Sequence, residues 1–211
     1  MPTPLGHTLT GLAVWAVARK PVSIKDAMTR ENAGWAALCV LAANLPDADF
    51  IYFAGGTVHV SGKYHHGITH SIGFAAAMAA MTGLWAWGRK IVSNRPEAAF
   101  APNPALAAMV MAIGALIHIT LDFLNVDSNP ENGIGMPFFW PFSGEYMHIP
   151  ILGGVDRTKP LSFQTVIYAA KEAVIFGTAL ALALVYARGK ASAPARPARE
   201  EATLVAEEVT E

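Results

Sequence analysis

Imidazole and carboxylate side chains that could bind a metal occur in four short groups along the 211-residue chain, each at the end of an apolar segment. His118 and Asp122 are four residues apart, so on a helix both project from one face, where two ligands can hold one ion. His66 and His70 have the same spacing, but the glycine between them favours a break that would leave His65 as the better partner of His70. Donors of this kind predict a bound divalent cation.

Two further groups complete the set of candidate ligands. Asp47 and Asp49 follow Pro46, where the chain leaves a helix, and two such close carboxylates repel unless a cation neutralises them or one takes a proton. His7 lies near the start of the first apolar segment. Seven donors exceed the needs of one tetrahedral ion, so we expect two ions rather than one, with zinc as the expected metal. The predicted ligands are His7, Asp47, Asp49, His65, His70, His118 and Asp122.

Five apolar segments must position these residues. They are rich in Ala, Leu, Met and Val and lack strict alternation, so each is predicted to be a helix. The last three are apolar nearly all round and long enough to cross a bilayer, whereas the first two are shorter and predicted to span only in part. The segments are Leu5 to Ala18, Ala33 to Phe53, Ile68 to Val92, Ala105 to Leu124 and Phe163 to Ala187.

Composition excludes several classes of protein. Only 15% of the residues are charged, against about 25% in average soluble domains. The 15 basic and 16 acidic residues nearly cancel, which excludes binding of nucleic acid through bulk positive charge. A hydrophobic content of 53% excludes a disordered chain, and the single cysteine, Cys39, excludes a disulfide scaffold. A soluble helical protein with a large core and an integral membrane protein remain.

The distribution of basic residues favours the membrane protein. Eleven of them lie on alternate connections, a segregation that the positive-inside rule assigns to the cytoplasmic side. The predicted protein is therefore an all-α integral membrane bundle of about five helices, with its histidine and aspartate groups on the outer side of the membrane. The basic residues concerned are Arg19, Lys20, Lys25, Arg30, Arg89, Lys90, Arg95, Arg188, Lys190, Arg196 and Arg199.

The sequence divides into one domain and a tail. Residues 1–187 form the predicted membrane-embedded domain, and residues 188–211, rich in Ala, Pro, Arg and Glu, form a predicted disordered cytoplasmic tail. A long connection, residues 125–162, precedes the last helix and is rich in glycine, proline and aromatic residues. We expect its aromatic stretch, Phe138 to Phe142, to lie at the level of the lipid headgroups.

The candidate ligands belong to longer motifs that follow one another in a fixed order. These are His7-Thr8, Leu45-Pro46-Asp47-Ala48-Asp49, His65-His66-Gly67-Ile68-Thr69-His70-Ser71, His118-Ile119-Thr120-Leu121-Asp122 and Trp140-Pro141-Phe142-Ser143. With them the chain, from Pro4 to about Ser143, resembles the YdjM-type family of membrane-bound metal-dependent hydrolases. The resemblance implies a location in the bacterial inner membrane. That family has arginine where this chain has His66, so the resemblance implies a substrate contact by His66, when protonated, with Ser71 beside it.

The resemblance also implies a reaction. A remote similarity to zinc-dependent phospholipase C and P1-type nucleases implies hydrolysis of a phosphoester, with a phospholipid or a lipid-linked phosphate approaching from the membrane. The metal would lower the pKa of a bound water towards about 7. Asp49 is then the expected general base, with Asp47 as a second catalytic carboxylate. Two alternatives remain open, namely a transport or metal-handling protein and a structural bundle tied by metal. The oligomeric state is not predicted.

Overall fold

A computed structural model describes residues 3–49, 65–92, 100, 102–125, 135–151 and 162–191 of the chain. This described part is helical apart from turns, connections and one isolated β-bridge between Met136 and Met147. The predicted all-α fold is confirmed. The helices are α1 (Pro4–Arg19), α2 (Ile24–Ala27), α3 (Arg30–Asn44), α4 (Ile72–Val92), α5 (Pro104–Phe123) and α6 (Phe163–Ala191), and a 3₁₀ turn, Ile68–His70, precedes α4.

Small residues let the central helices approach closely. Helix α1 packs against α3 and α6, while α5 packs against α3 and α4. A Cβ added to Gly11 would lie 2.7 Å from the carbonyl oxygen of Cys39, and one added to Gly114 would lie 2.6 Å from the Cβ of Ala42. The backbone of α3 is therefore in direct contact with both neighbours. Trp35, Cys39, Ala42, Val110 and Met111 form part of the buried apolar core between them.

The predicted segments match the helices, with differences at their ends. The second segment is a helix only to Asn44, because residues 45–49 form a 3₁₀ turn around Pro46, and residues 50–53 lie outside the described residues. The third begins as a helix at Ile72 rather than Ile68, so His66 and His70 do not share an α-helix. The last helix continues to Ala191, past the predicted boundary at residue 187; residues 192–211 of the predicted tail lie outside the described residues.

Two of the described helices are long and apolar enough to cross a membrane, judged by length and composition. They are α5 and the Phe163–Lys190 part of α6. Helix α5 is partly enclosed by its neighbours, whereas α6 exposes its apolar side chains, including Val174, Ile175 and Leu182. The five crossings expected from the sequence stay a prediction.

The aromatic connection before α6 supports the start of α4. The amide of Ile72 donates to the carbonyl of Phe138 at 3.0 Å, and the amide of Gly73 donates to the carbonyl of Trp140 at 2.9 Å. These bonds satisfy two amides at a helix start that have no partner within the helix. Gly73 is required here, because a Cβ would lie 2.6 Å from the Trp140 carbonyl oxygen. The connection thereby holds the end of α4 that follows the histidine-rich turn.

Candidate metal centre

Four helix ends meet at one end of the bundle and bring the predicted ligands together. The antiparallel course of the chain places the start of α1, the end of α3, the start of α4 and the end of α5 side by side. Every member of the predicted set lies within this buried group, and side-chain exposure is highest for Asp47, at 10%. The described basic residues Arg19, Arg89 and Lys190 lie at the opposite helix ends. Residues far apart in sequence thus share one pocket.

Four atoms at the centre lie close together, and five of the six distances between them fit a tetrahedral site. Asp47 Oδ1 lies 3.5 Å from His70 Nε2 and 3.4 Å from His118 Nε2. Asp122 Oδ2 lies 3.4 Å from each of the same two nitrogens, which are 3.3 Å from one another. With metal–ligand distances of about 2.0–2.1 Å, ligand atoms around tetrahedral zinc are about 3.3–3.4 Å apart. We call these atoms the four-atom cluster.

The carboxylates of the four-atom cluster lack the hydrogen bonds that buried oxygens normally make. Neither oxygen of Asp47 and neither oxygen of Asp122 has a hydrogen-bond partner within the described structure. Both ring nitrogens of His7 are also without one, although the side chain is fully buried. Burying such groups without compensation is costly. A cation bound among them would supply the missing interactions, so the residues present fit a divalent metal.

The orientation of His118 is fixed from behind by α3. Its Nδ1 donates to the carbonyl of Ala43 at 2.7 Å. That carbonyl is available because the last four carbonyls of a helix have no acceptor role within it. With its proton on Nδ1, His118 turns an Nε2 lone pair towards His70 Nε2. Metal-ligating histidines in proteins are held in the same way, by a hydrogen bond from the ring nitrogen that does not bind metal.

Asp49 contacts the Nδ1 atoms of His65 and His70. Its Oδ1 accepts a hydrogen bond from His65 Nδ1 at 2.8 Å, and its Oδ2 accepts one from the Thr69 hydroxyl at 2.8 Å. The Thr69 hydroxyl in turn lies 3.0 Å from His70 Nδ1. The front nitrogen of His65, Nε2, lies 3.9 Å from Asp47 Oδ1. Asp49 is thus at the periphery of the pocket, and Asp47 is at its centre.

The pKa values of the carboxylates and of His70 are shifted in the directions that favour their charged forms. Burial opposes ionisation of Asp47, but the imidazoles of His118 and His70 outweigh it and hold the pKa of Asp47 below its ordinary value. The same balance, with histidine hydrogen bonds opposing burial, lowers the pKa of Asp49. For His70, burial is outweighed by Asp122 and the other carboxylates, which raise its pKa well above the ordinary value. The opposite pKa shifts of the carboxylates and of His70 have one cause, the attraction between carboxylate and imidazole in the buried pocket.

His66 and Ser71, expected to contact substrate, have other partners in the structure. His66 has a left-handed backbone (φ 65°) and places its Nε2 3.4 Å from Asp122 Oδ2, within the ligand group. Left-handed backbone is uncommon for a residue other than glycine and concentrates at functional sites. The Ser71 hydroxyl donates to the Ile68 carbonyl and accepts from the Phe74 amide, which is the pattern of a helix cap. The substrate contact by Ser71 stays a prediction.

Three groups that position the predicted ligands are not among the site residues that the sequence predicts. Thr69 is part of the histidine motif, and its place in that motif is the one feature of the sequence that could have indicated its role. The Ala43 carbonyl carries no sequence signal. Glu172 of α6 accepts hydrogen bonds from the amide of Thr3, at 2.9 Å to each oxygen, and from the Thr3 hydroxyl, which fixes the start of the helix that carries His7.

Comparison with known proteins places the chain in a family. A family model described as YdjM inner membrane protein matches residues 1–195, which is most of the chain, so the chain belongs to this family. No curated protein and no solved structure matches it. The expected likeness to zinc-dependent phospholipase C and P1-type nucleases therefore has no support among these matches. The family description indicates an inner membrane protein and carries no activity.

Proposed function

We propose that this member of the YdjM inner membrane protein family is a metal-dependent hydrolase that cleaves a phosphoester at the outer face of the membrane. The observation that carries the proposal is a surplus of ligating atoms in one buried pocket. The four-atom cluster satisfies one tetrahedral ion, yet the ring nitrogens of His7, His65 and His66 lie within 4 Å of its carboxylates. A purely structural zinc site needs only four ligands.

The contacts of Asp122 favour two cations. Its Oδ2 faces His66, His70 and His118, each at 3.4 Å, while its Oδ1 faces His7 at 3.6 Å. A carboxylate with imidazole nitrogens beside both oxygens could help to hold two ions. Pairs of metal ions about 3.5–4 Å apart are characteristic of phosphatases and nucleases, where they hold the attacking and leaving oxygens. This is the basis for assigning a phosphoester as the substrate class.

The chain's own residues would divide the work as follows. Cations held here would lower the pKa of a water molecule and stabilise negative charge on the phosphoryl oxygens. Asp47 is the most exposed of the group, and it places only Oδ1 in the four-atom cluster. Its Oδ2 has no hydrogen-bond partner among the described residues and is available to accept a proton from water. His7, stacked on His118 with ring centroids 3.7 Å apart, covers the buried side of the site.

The surroundings support a lipid or lipid-linked substrate. The aromatic connection that holds the start of α4 also exposes Phe139, Phe142 and Ile151, with Phe142 87% exposed. Exposed apolar side chains beside the histidine turn are suited to the lipid interface. The described basic residues Arg19, Arg89 and Lys190 lie at the far ends of their helices. By the positive-inside rule this distribution favours a metal centre outside and the end of α6 in the cytoplasm.

A second candidate function is favoured by one observation, the completeness of the four-atom cluster. Two carboxylates and two imidazoles from three separate parts of the chain supply all four donor atoms of a tetrahedral site. Closed four-ligand sites are typical of structural zinc. In that case the ion ties α3, the histidine turn and α5 together and turns over no substrate.

Hydrolysis assays separate the two candidates. The full-length protein, purified in detergent and loaded with zinc, is tested on a phosphomonoester, a phosphodiester and a phospholipid, beside Asp47→Ala and His118→Ala. His148→Ala is the matched control, because His148 lies outside the pocket in a described connection. We expect hydrolysis by wild type and His148→Ala, and loss of at least a hundredfold in the other two. Bound metal without turnover on any of these substrates would support the structural candidate instead.

A further inference from the structure

We propose that Asp49 is a positioning residue that holds the imidazoles of His65 and His70 from behind and aims their Nε2 atoms at the metal. The inference rests on the proposed function. It assigns Asp49 a different task from the two that the sequence predicts for it, metal ligand and general base.

The hydrogen bonds of Asp49 form one connected path. Oδ1 accepts from His65 Nδ1 at 2.8 Å, which leaves His65 Nε2 free of that proton. Oδ2 accepts the Thr69 hydroxyl proton at 2.8 Å, so a lone pair of that hydroxyl can accept from His70 Nδ1 at 3.0 Å. A direct contact of 3.4 Å between Asp49 Oδ2 and His70 Nδ1 reinforces the same arrangement. Both imidazoles, those of His65 and His70, are thereby protonated at Nδ1.

The consequence is a pocket that attracts a cation. His118 is protonated at Nδ1 by its bond to Ala43, so the Nε2 atoms of neutral His70 and His118 face one another at 3.3 Å with lone pairs on both. Two such lone pairs repel unless a cation or a shared proton lies between them. Asp49 thus determines which nitrogen of His70 is offered to the metal. Partners of this type typically change metal affinity by about 10–100-fold when they are removed.

The contacts of Asp49 favour the positioning role over the two others. Both carboxylate oxygens are already occupied by donors at 2.8 Å, and the residue is only 6% exposed. A general base must be within hydrogen-bond reach of the water it deprotonates. Asp47, in contrast, has two oxygens without a hydrogen-bond partner in the described part of the chain and lies at the centre of the pocket.

The first experiment uses the metal-free protein. Histidine ¹⁵N–¹H correlation spectra of the chelator-treated full chain, recorded where the rings are neutral, report which nitrogen carries the proton. We expect the Nδ1–H form for His65 and His70 in wild type, and loss of that preference in Asp49→Ala. Thr69→Val should affect His70 but not His65, and Thr69→Ser should restore the wild-type spectrum. An unchanged spectrum in Asp49→Ala would overturn the inference, whether or not the protein binds metal.

The second experiment measures Zn²⁺ affinity by chelator competition and the number of ions bound at saturation. We expect Asp49→Ala and Asp49→Asn to weaken Zn²⁺ binding about 10–100-fold with an unchanged number of ions. A lower number at saturation would identify Asp49 as a ligand, and unchanged affinity with lost hydrolysis would identify it as the general base. Either result overturns the positioning role. Wild type that binds no Zn²⁺ would refute the proposed function, while the spectra still decide the role of Asp49.

Discussion

The close contact between α3 and α5 brings Asp47, which follows α3, near His118 and Asp122 on α5. Gly114→Ala tests whether the four-atom cluster depends on this contact. Gly114 lies one helical turn before His118. A Cβ at this position would be 2.6 Å from the Cβ of Ala42, whereas ordinary contacts begin at 3.4 Å. The helices must therefore separate by about 0.8 Å, and metal sites tolerate deviations of only about 0.2 Å in their ligand distances. The displacement lengthens the path from Asp47 to His118.

The expected cost of Gly114→Ala falls more on the metal site than on the fold. Overpacking costs about 1–3 kcal/mol, and the gain in helix propensity returns about 1 kcal/mol. We therefore expect a loss of about 0–2 kcal/mol in unfolding free energy. Zn²⁺ affinity should fall at least tenfold, which corresponds to about 1.4 kcal/mol.

The assay is chelator competition in detergent with Gly88→Ala as the matched control. Gly88 is also helical, and a Cβ there has no neighbour within 4 Å, so the control should bind Zn²⁺ as wild type does. Equal affinity of all three proteins would refute the link between helix contact and ligand geometry.

Two further predictions concern stability. Glu172→Ala should lower the unfolding free energy by about 1–3 kcal/mol, because the Thr3 amide loses a charged acceptor. Glu172→Gln should retain part of this stabilisation, and denaturant titration measures both variants. In metal-free protein the lowered pKa values of Asp47 and Asp49 stabilise the fold above about pH 4, and this stabilisation is lost on acidification. The raised pKa of His70 stabilises the fold below about pH 6.5, and this stabilisation is lost at higher pH. The thermal unfolding temperature should therefore be highest between these pH values. Zinc should abolish the decline in stability at alkaline pH, since zinc replaces the proton on His70. A metal-free protein equally stable at pH 6 and pH 9 would contradict this.

The convergence of the ligands was predictable from the sequence because it follows from chain direction. Helices that alternate in direction bring the start of one beside the end of the next, so His7, Asp47, His70 and His118 had to lie at one end of the bundle. The apolar composition of the segments likewise predicted their helical structure. These inferences need only periodicity and order along the chain.

The orientation of each ring was not predictable, since it depends on contacts between distant residues. His118 is held by a carbonyl 75 positions away, and any residue type would supply that oxygen. The left-handed backbone that turns His66 into the pocket likewise has no local cause in its side chain. The two carboxylates Asp47 and Asp49 look equivalent in sequence, and only the turn of the chain after α3 separates their tasks.

The most direct test of the metal centre is the metal content of the purified full-length protein. Wild type and the control His148→Ala, equilibrated with micromolar Zn²⁺ and freed of excess, should retain at least one equivalent by elemental analysis. Asp122→Ala should retain at least one ion fewer than wild type, because its carboxylate contacts four imidazoles. Less than one equivalent in well-folded wild type, or equal metal in Asp122→Ala, would contradict the account.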